Sequence, residues 1–205
     1  MRSLLLISFC IIQLGCVSVY KNLQDTTGDI HNLQQFKPVI TTALYKIDVN
    51  VIGKYLSGLL LLKTMPDSSI RVVFSSEMGF KFFDFEFSPG NRFKVNYIIK
   101  QMNKKPVIKT LRKDFELILM QSLDPSTVHI RKDSLFIYYV FPQTKGFYYY
   151  ITNPGGNELV RMERSSKRKP VVEAIMKNYS NGIPDTIGIT HKNFNFTIGL
   201  KKIER

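Results

Sequence analysis

The chain has 205 residues, 44% of them hydrophobic, and a formal charge of +13 at pH 7. That size fits one domain, and that hydrophobic content fills a core, which excludes a disordered or low-complexity polypeptide. Two cysteines, Cys10 and Cys16, exclude a disulfide-stapled scaffold, and the basic excess favours an anionic partner or surface unless it is only a coat of dispersed surface lysines.

Residues 1–15 read as a signal peptide. Arg2 supplies the positive n-region and Leu4 to Ile12 the apolar h-region. This run is shorter than the roughly 20 apolar residues a membrane-spanning helix needs. Leu14-Gly15-Cys16 resembles a lipobox, in which a small residue precedes a cysteine that becomes lipidated, although Gln13 and Leu14 depart from the usual side chains. Cleavage before Cys16 removes Arg2 and Cys10 and leaves Cys16 at the first position. A lone free thiol fits an oxidising compartment poorly, and a thioether-linked lipid resolves that. An ordinary secretory signal cleaved nearby is the alternative. Val17-Ser18-Val19-Tyr20-Lys21 carries neither an aspartate after the cysteine nor an acidic stretch. The expected location is therefore the outer membrane, lipid-anchored and facing the periplasm.

Residues 16–40 are polar and weakly patterned and read as the lipidated N-terminus and a tether, with a short helix around Ile30 to Phe36 before Pro38. From residue 41 the patterned body runs to residue 205. Tyr45, Ile47, Val49 and Val51 alternate with Lys46, Asp48 and Asn50, the period of a half-buried strand. Ser57 to Thr64, Ile70 to Phe74, Phe83 to Phe87 and Phe93 to Tyr97 follow as strands, separated by Met65-Pro66-Asp67-Ser68 and Ser88-Pro89-Gly90-Asn91. Between Val107 and Ser122 the period changes. Ile108, Leu111, Phe115, Ile118 and Leu119 fall on one helical face, Lys109, Arg112, Lys113 and Glu116 on the other, and Pro106 stands at the start. Strands resume at Ser134 to Phe141, Gly146 to Thr152, Glu158 to Arg164, Val171 to Tyr179, Thr186 to His191 and Phe194 to Ile203. The predicted class is mainly β (α+β). An antiparallel sheet of about ten strands curls, here into an incomplete β-barrel with one central helix as its lid.

This order, with a five-strand meander, a mid-chain helix and further strands after a lipidated tether, resembles the LolA/LolB lipoprotein-carrier fold. The lipidated branch of that family is the outer-membrane receptor that inserts lipoproteins. The most useful local match is Ser75-Ser76-Glu77-Met78-Gly79-Phe80 before the strand Lys81 to Phe87. In LolB-like proteins the equivalent hairpin protrudes, and an apolar residue just before a glycine enters the membrane. The resemblance assigns that role to Met78, Gly79 and Phe80. A plain hairpin turn with Met78 tucked against the body is the alternative. A second match is the closing pair, Ile183-Pro184-Asp185-Thr186-Ile187 through Phe196-Thr197-Ile198-Gly199-Leu200.

A carrier needs an apolar lining, since burial removes acyl methylenes from water at about 0.8 kcal/mol each. The expected lining is Tyr45, Ile47, Val49, Val72, Phe74, Phe83, Phe85, Phe87, Phe93 and Tyr97, with Tyr139 and Phe141 on the same inner face; a plain packed core is the alternative. Arg161, Arg164, Lys167, Arg168 and Lys169 surround one hairpin tip and are candidate contacts for anionic headgroups. A second basic run, Lys100 to Lys113, enters the helix, and a solvated face explains it as well.

Catalysis has little support. His31, His129 and His191 stand alone, with no metal-ligand spacing, nucleophile elbow or phosphate loop. Asp84 and Glu86 read as a solvent-facing strand edge. No enzyme activity, cofactor or metal is expected. The expected function is a membrane-anchored, palmitate-bearing lipoprotein that binds acyl chains in an apolar cavity and helps insert lipoproteins into the outer membrane. Its expected partners are membrane lipid through Cys16, the acyl chains of lipoproteins and a periplasmic LolA-like carrier, without nucleic acid. The alternative is a lipid-anchored, non-enzymatic interaction subunit of an outer-membrane complex.

Overall fold

A computed structural model of the chain describes residues 18–121 and 123–203. The expected signal peptide, Cys10 and Cys16 lie outside the described residues. Among the described residues, thirteen strands form one antiparallel sheet that curls without closing. They are β1 (Gln24–Asp25), β2 (Thr42–Val51), β3 (Lys54–Thr64), β4 (Ile70–Ser75), β5 (Lys81–Ser88), β6 (Arg92–Ile98), β7 (His129–Lys132), β8 (Ile137–Pro142), β9 (Phe147–Thr152), β10 (Leu159–Ser165), β11 (Pro170–Ser180), β12 (Ile183–His191) and β13 (Phe196–Lys202). A short α1 (His31–Gln34) and the 14-residue α2 (Lys105–Ile118) complete the fold. The expected incomplete barrel with a helical lid is therefore the observed architecture. The two additional strands, β1 and β7, have 2 and 4 residues, too few for alternation to register in sequence.

Two meanders, β2 to β6 and β7 to β13, are joined where β13 pairs with β2. Alternation sets the faces. In β2, Ala43, Tyr45, Ile47 and Val49 are buried while Thr42, Lys46 and Asn50 are exposed. Helix α2 begins with a proline in its first turn, where a missing N–H costs nothing. Leu111, Phe115 and Ile118 face the sheet, and Lys105 and Lys109 face water. The strands around the lid pack closely. A Cβ on Gly58 would stand 2.1 Å from the Ser75 carbonyl oxygen, so β3 can approach β4 there only without a side chain.

Residues 18–40, which read as a tether, are laid against the body. The Tyr20 ring stacks on Tyr149 with centroids 4.2 Å apart, and its hydroxyl donates to Glu163 at 2.5 Å. Strand β1 pairs with β7, and Leu33 of α1 is fully buried. Tyr20, Tyr138, Val140, Tyr149 and Ile151 form a second, smaller core on the convex face of β8 and β9. The main core fills the concave side.

Candidate functional site

An apolar cavity of about 710 Å³ lies between the concave sheet and α2, within the ~300–1,000 Å³ typical of small-molecule sites. Ile47 and Val49 of β2, Phe74 of β4, Phe83 of β5, and Phe196 and Ile198 of β13 line it on the sheet side. Pro106, Val107, Thr110, Leu111 and Phe115 of α2 line it on the helix side. Its mouth is rimmed by Ile52, Phe80, Met102 and Phe194 from four different connections. Lys54, Gln101 and Thr110 are the polar side chains of the lining. Among the described residues no carboxylate, histidine or cysteine reaches it, so their arrangement can hold an apolar ligand and presents no acid–base pair to it.

Of the ten expected lining residues, Ile47, Val49, Phe74 and Phe83 line the cavity. Tyr45, Val72, Phe85 and Phe87 are buried in the packed core beside it, and the Tyr45 hydroxyl donates to the Pro184 carbonyl at 2.8 Å. Tyr139 and Phe141 are also in that core. Phe93 is half-buried beneath the Arg112 guanidinium, 5.0 Å from its ring centroid. Tyr97 corrects the expectation. A register shift between Asp84 and Phe85 leaves Asn96 as an extra residue in β6 and turns Tyr97 to the convex face, where it is 43% exposed. A shift at the start of β5 does the reverse. Phe74 faces Phe83 while Ser75 faces Lys81, so Phe82 is the extra residue and turns into the cavity beside Phe74 at 4.6 Å. Strict alternation hid Phe82; the adjacent pair Phe82-Phe83 was its one trace in the sequence. Phe194 and Phe196, a Phe-x-Phe run at the end of the chain, also reach the cavity.

The β4–β5 connection protrudes. Met78 is 97% exposed and Phe80 58%, with Gly79 at φ 84° between them. Met78 is therefore not tucked against the body.

The basic tip divides in two. Arg161 pairs with Glu163 at 2.7 Å, and Arg164 reaches Asp114 at 3.5 Å. Both guanidiniums are committed within the fold, which corrects their grouping with headgroup contacts. Lys167, Arg168 and Lys169 stand exposed on the β10–β11 connection. Asp84 also differs from expectation. It is buried on the convex face, ion-paired to Arg71 and within 3.5 Å of the Lys81 ammonium.

Two buried polar groups pin the C-terminal half of α2. Asp114 meets the His191 ring nitrogen at 2.9 Å, with both side chains almost fully enclosed. Glu116 accepts from Arg112 at 2.6 Å, Lys113 at 2.7 Å and the Tyr148 hydroxyl at 3.2 Å. Burial works to raise the Glu116 pKa, but the bonds from Lys113 and Arg112 outweigh it and hold the carboxyl below its ordinary range. Burial in turn pushes the Tyr148 and Tyr150 phenols up.

No protein-family model matches the sequence, and no curated protein matches it. Solved structures do resemble the fold. A LolA superfamily protein from Nitrosomonas europaea superposes with a TM-score of 0.52 at 8% identity, over 87% of this chain and 93% of that one. An outer-membrane lipoprotein-sorting domain from Vibrio parahaemolyticus gives 0.45 at 8% identity, over 85% and 90%. A DUF1329 family protein from Desulfovibrio piger gives 0.45 at 10% identity, over 85% and 88%. At such identities the likeness concerns the fold alone, and of these three the first carries it. The superposition on that protein over most of both chains gives this chain, with its curled antiparallel sheet and the helix across its apolar side, a LolA-like fold.

Proposed function

We propose that this chain is an envelope lipoprotein that takes up acyl chains in the cavity beneath α2 and hands them to a membrane. The cavity itself carries the proposal: it is large, its interior is apolar, and it opens through a rim of exposed apolar side chains. Each methylene that enters leaves water at a gain of about 0.8 kcal/mol. A lining of Phe, Met and aliphatic side chains offers shape without fixed polar partners, which suits uptake followed by release. The fold shared with a LolA superfamily protein supports the same reading. In the finer form of the proposal, Cys16 is the lipid anchor in the outer membrane, Met78 and Phe80 touch the bilayer, and a periplasmic LolA-like carrier delivers lipoproteins for insertion.

The direct test is titration of the full chain with the fluorescent fatty acid cis-parinaric acid. Saturable binding is expected, with at least about tenfold loss in Thr110→Trp, which fills the cavity from the helix side without unfolding a packed site. Absence of saturable binding by the unaltered chain would overturn the proposal and favour a lipid-anchored interaction subunit. Depletion in cells separates the finer claim: lipoproteins that still reach the outer membrane normally, without a paralogue, would remove the insertion role.

A further inference from the structure

The sheet has two ends, and they differ in a way that bears on how the domain stands on a membrane. Six connections lie at the mouth end: residues 52–53, 76–80, 99–104, 143–146, 166–169 and 192–195. They carry Lys100, Lys104, Lys145, Lys192 and the run Lys167-Arg168-Lys169, against one acid, Glu77. Lys192 also reaches Glu173 at 3.3 Å. The five hairpin connections at the far end, residues 65–69, 89–91, 133–136, 153–158 and 181–182, carry Asp67, Asp133 and Glu158 and no lysine or arginine. The connections are therefore net basic at the mouth and net acidic at the far end.

The turns make the same distinction with backbone held constant. Asn181-Gly182 at the far end has φ of 52° and 74°; Ile52-Gly53 at the mouth has φ of 48° and 74°. Asparagine is the ordinary occupant of such a position, and a β-branched residue there is strained. The mouth nevertheless carries isoleucine, 74% exposed. With Met78, Phe80 and Phe194 it makes an apolar rim inside the basic ring.

The N-terminal strap ends at this same face. Val19 donates from its backbone to the Arg168 carbonyl at 2.9 Å, and the Ser18 hydroxyl donates to the Lys167 carbonyl at 3.2 Å. The stacked, hydrogen-bonded Tyr20 fixes the strap to the sheet just behind. Ser18, the first described residue, therefore lies beside the Lys167-Arg168-Lys169 tip.

We infer that the mouth end as a whole docks on an anionic lipid bilayer, and that the Ser18–Tyr20 strap holds the domain on its anchor with the cavity opening into that bilayer. This rests on the acyl-carrier reading and adds to it an orientation and a partner surface. Apolar side chains on three connections enter the interface between headgroups, and the cations around them meet lipid phosphates. The Ser18–Tyr20 strap, held on the sheet at the mouth end, sets that end toward the bilayer.

The chain contains no tryptophan, so single reporters are clean. The lipidated full-length chain, carrying Ile52→Trp, Phe194→Trp or, at the far end, Leu135→Trp, is placed on vesicles of brominated phosphatidylcholine and phosphatidylglycerol in equimolar mixture. Strong quenching at residues 52 and 194 and none at residue 135 is expected. Charge reversal of Lys167, Arg168 and Lys169 to glutamate, or Tyr20→Ala, is expected to cut the mouth-end quenching several-fold. Equal quenching at both ends, quenching at residue 135 alone, or no quenching on vesicles that retain the chain overturns the orientation. Equal mouth-end quenching on phosphatidylcholine alone removes the anionic bilayer as the occupant. Cis-parinaric acid binding, measured on the same preparations, tells the two readings apart: its loss with the quenching pattern intact overturns the cavity, not the orientation.

Discussion

The concave side of the sheet is packed on one flank and open on the other, and α2 crosses both. Its C-terminal half lies over β9 and β10, where Tyr148 and Tyr150 are fully buried and their hydroxyls reach Glu116 and the Leu117 carbonyl. Its N-terminal half lies over β2, β4, β5 and β13, where phenylalanine and aliphatic side chains leave a void. The flanks are similar in apolar character and differ in polar handles. Tyrosines, Asp114, Glu116, Arg164 and His191 lock the helix at one end by directional bonds, and a buried network of this kind admits one arrangement. The other end is held out over the cavity as an extension of the locked half. The lid therefore spans an apolar void without collapsing onto it.

Breaking the lock should have the largest effect. Asp114→Ala leaves Arg164 and His191 facing an absent carboxylate, and loss of one partner from a buried ionic cluster costs about 3–5 kcal/mol; chemical denaturation measures it. A mere surface role for Asp114 predicts almost no change. Truncations along α2 should then report the flank they face. Leu117→Ala, on the fully buried side, should cost about 2–4 kcal/mol, because a cavity is created in a packed region. Val107→Ala, which only enlarges an existing void, should cost less than about 1 kcal/mol. Equal losses at the two positions would mean that the flanks are packed alike.

The pH dependence should follow the tyrosine flank. Burial pushes Tyr138 up to about 12, with the Asp133 bond adding to it, and burial pushes Tyr20, Tyr148 and Tyr150 up as well. A phenol whose folded pKa exceeds its unfolded value, about 10, stabilises the fold fully below that pH, and the contribution is lost as pH rises through it. Melting temperature should therefore fall steadily above pH ~10. Glu116, with a lowered folded pKa, works in the opposite direction: its contribution is present above the unfolded carboxylate value and is lost on acidification through the folded one. A flat alkaline limb would contradict the buried phenols.

The smallest effect should be a gain. Ile52→Asn places a residue suited to positive φ at the strained rim position, and should stabilise the fold by about 0.5–1 kcal/mol while weakening vesicle contact. A loss of stability instead would mean that Ile52 packs on the body.

Strand positions, the face each strand buries and the span of α2 were legible in the sequence, because alternation and helical periodicity are local and repeat every few residues. The exposed Met78 tip came from the resemblance to LolB-like proteins, since the residues alone left a turn with Met78 tucked against the body equally open. Phe82, Tyr97, Arg161 and Asp84 were not legible. Phe82 and Tyr97 moved because single-residue register shifts invert the faces beyond them. Arg161 and Asp84 moved because their partners, Glu163 and Arg71, take up charge that reads as solvent-exposed.

What the sequence by itself determined was eleven of the thirteen strands, most of their inner faces and a single amphipathic helix, since these follow from side-chain spacing along one segment. Whether the inner face became core or cavity was decided only in three dimensions. The same apolar alternation serves both, and the outcome depends on which distant strands α2 is pinned to. The pairing of β13 with β2 and the strap of Tyr20 on Tyr149 were decided there as well, because each joins residues far apart in the chain.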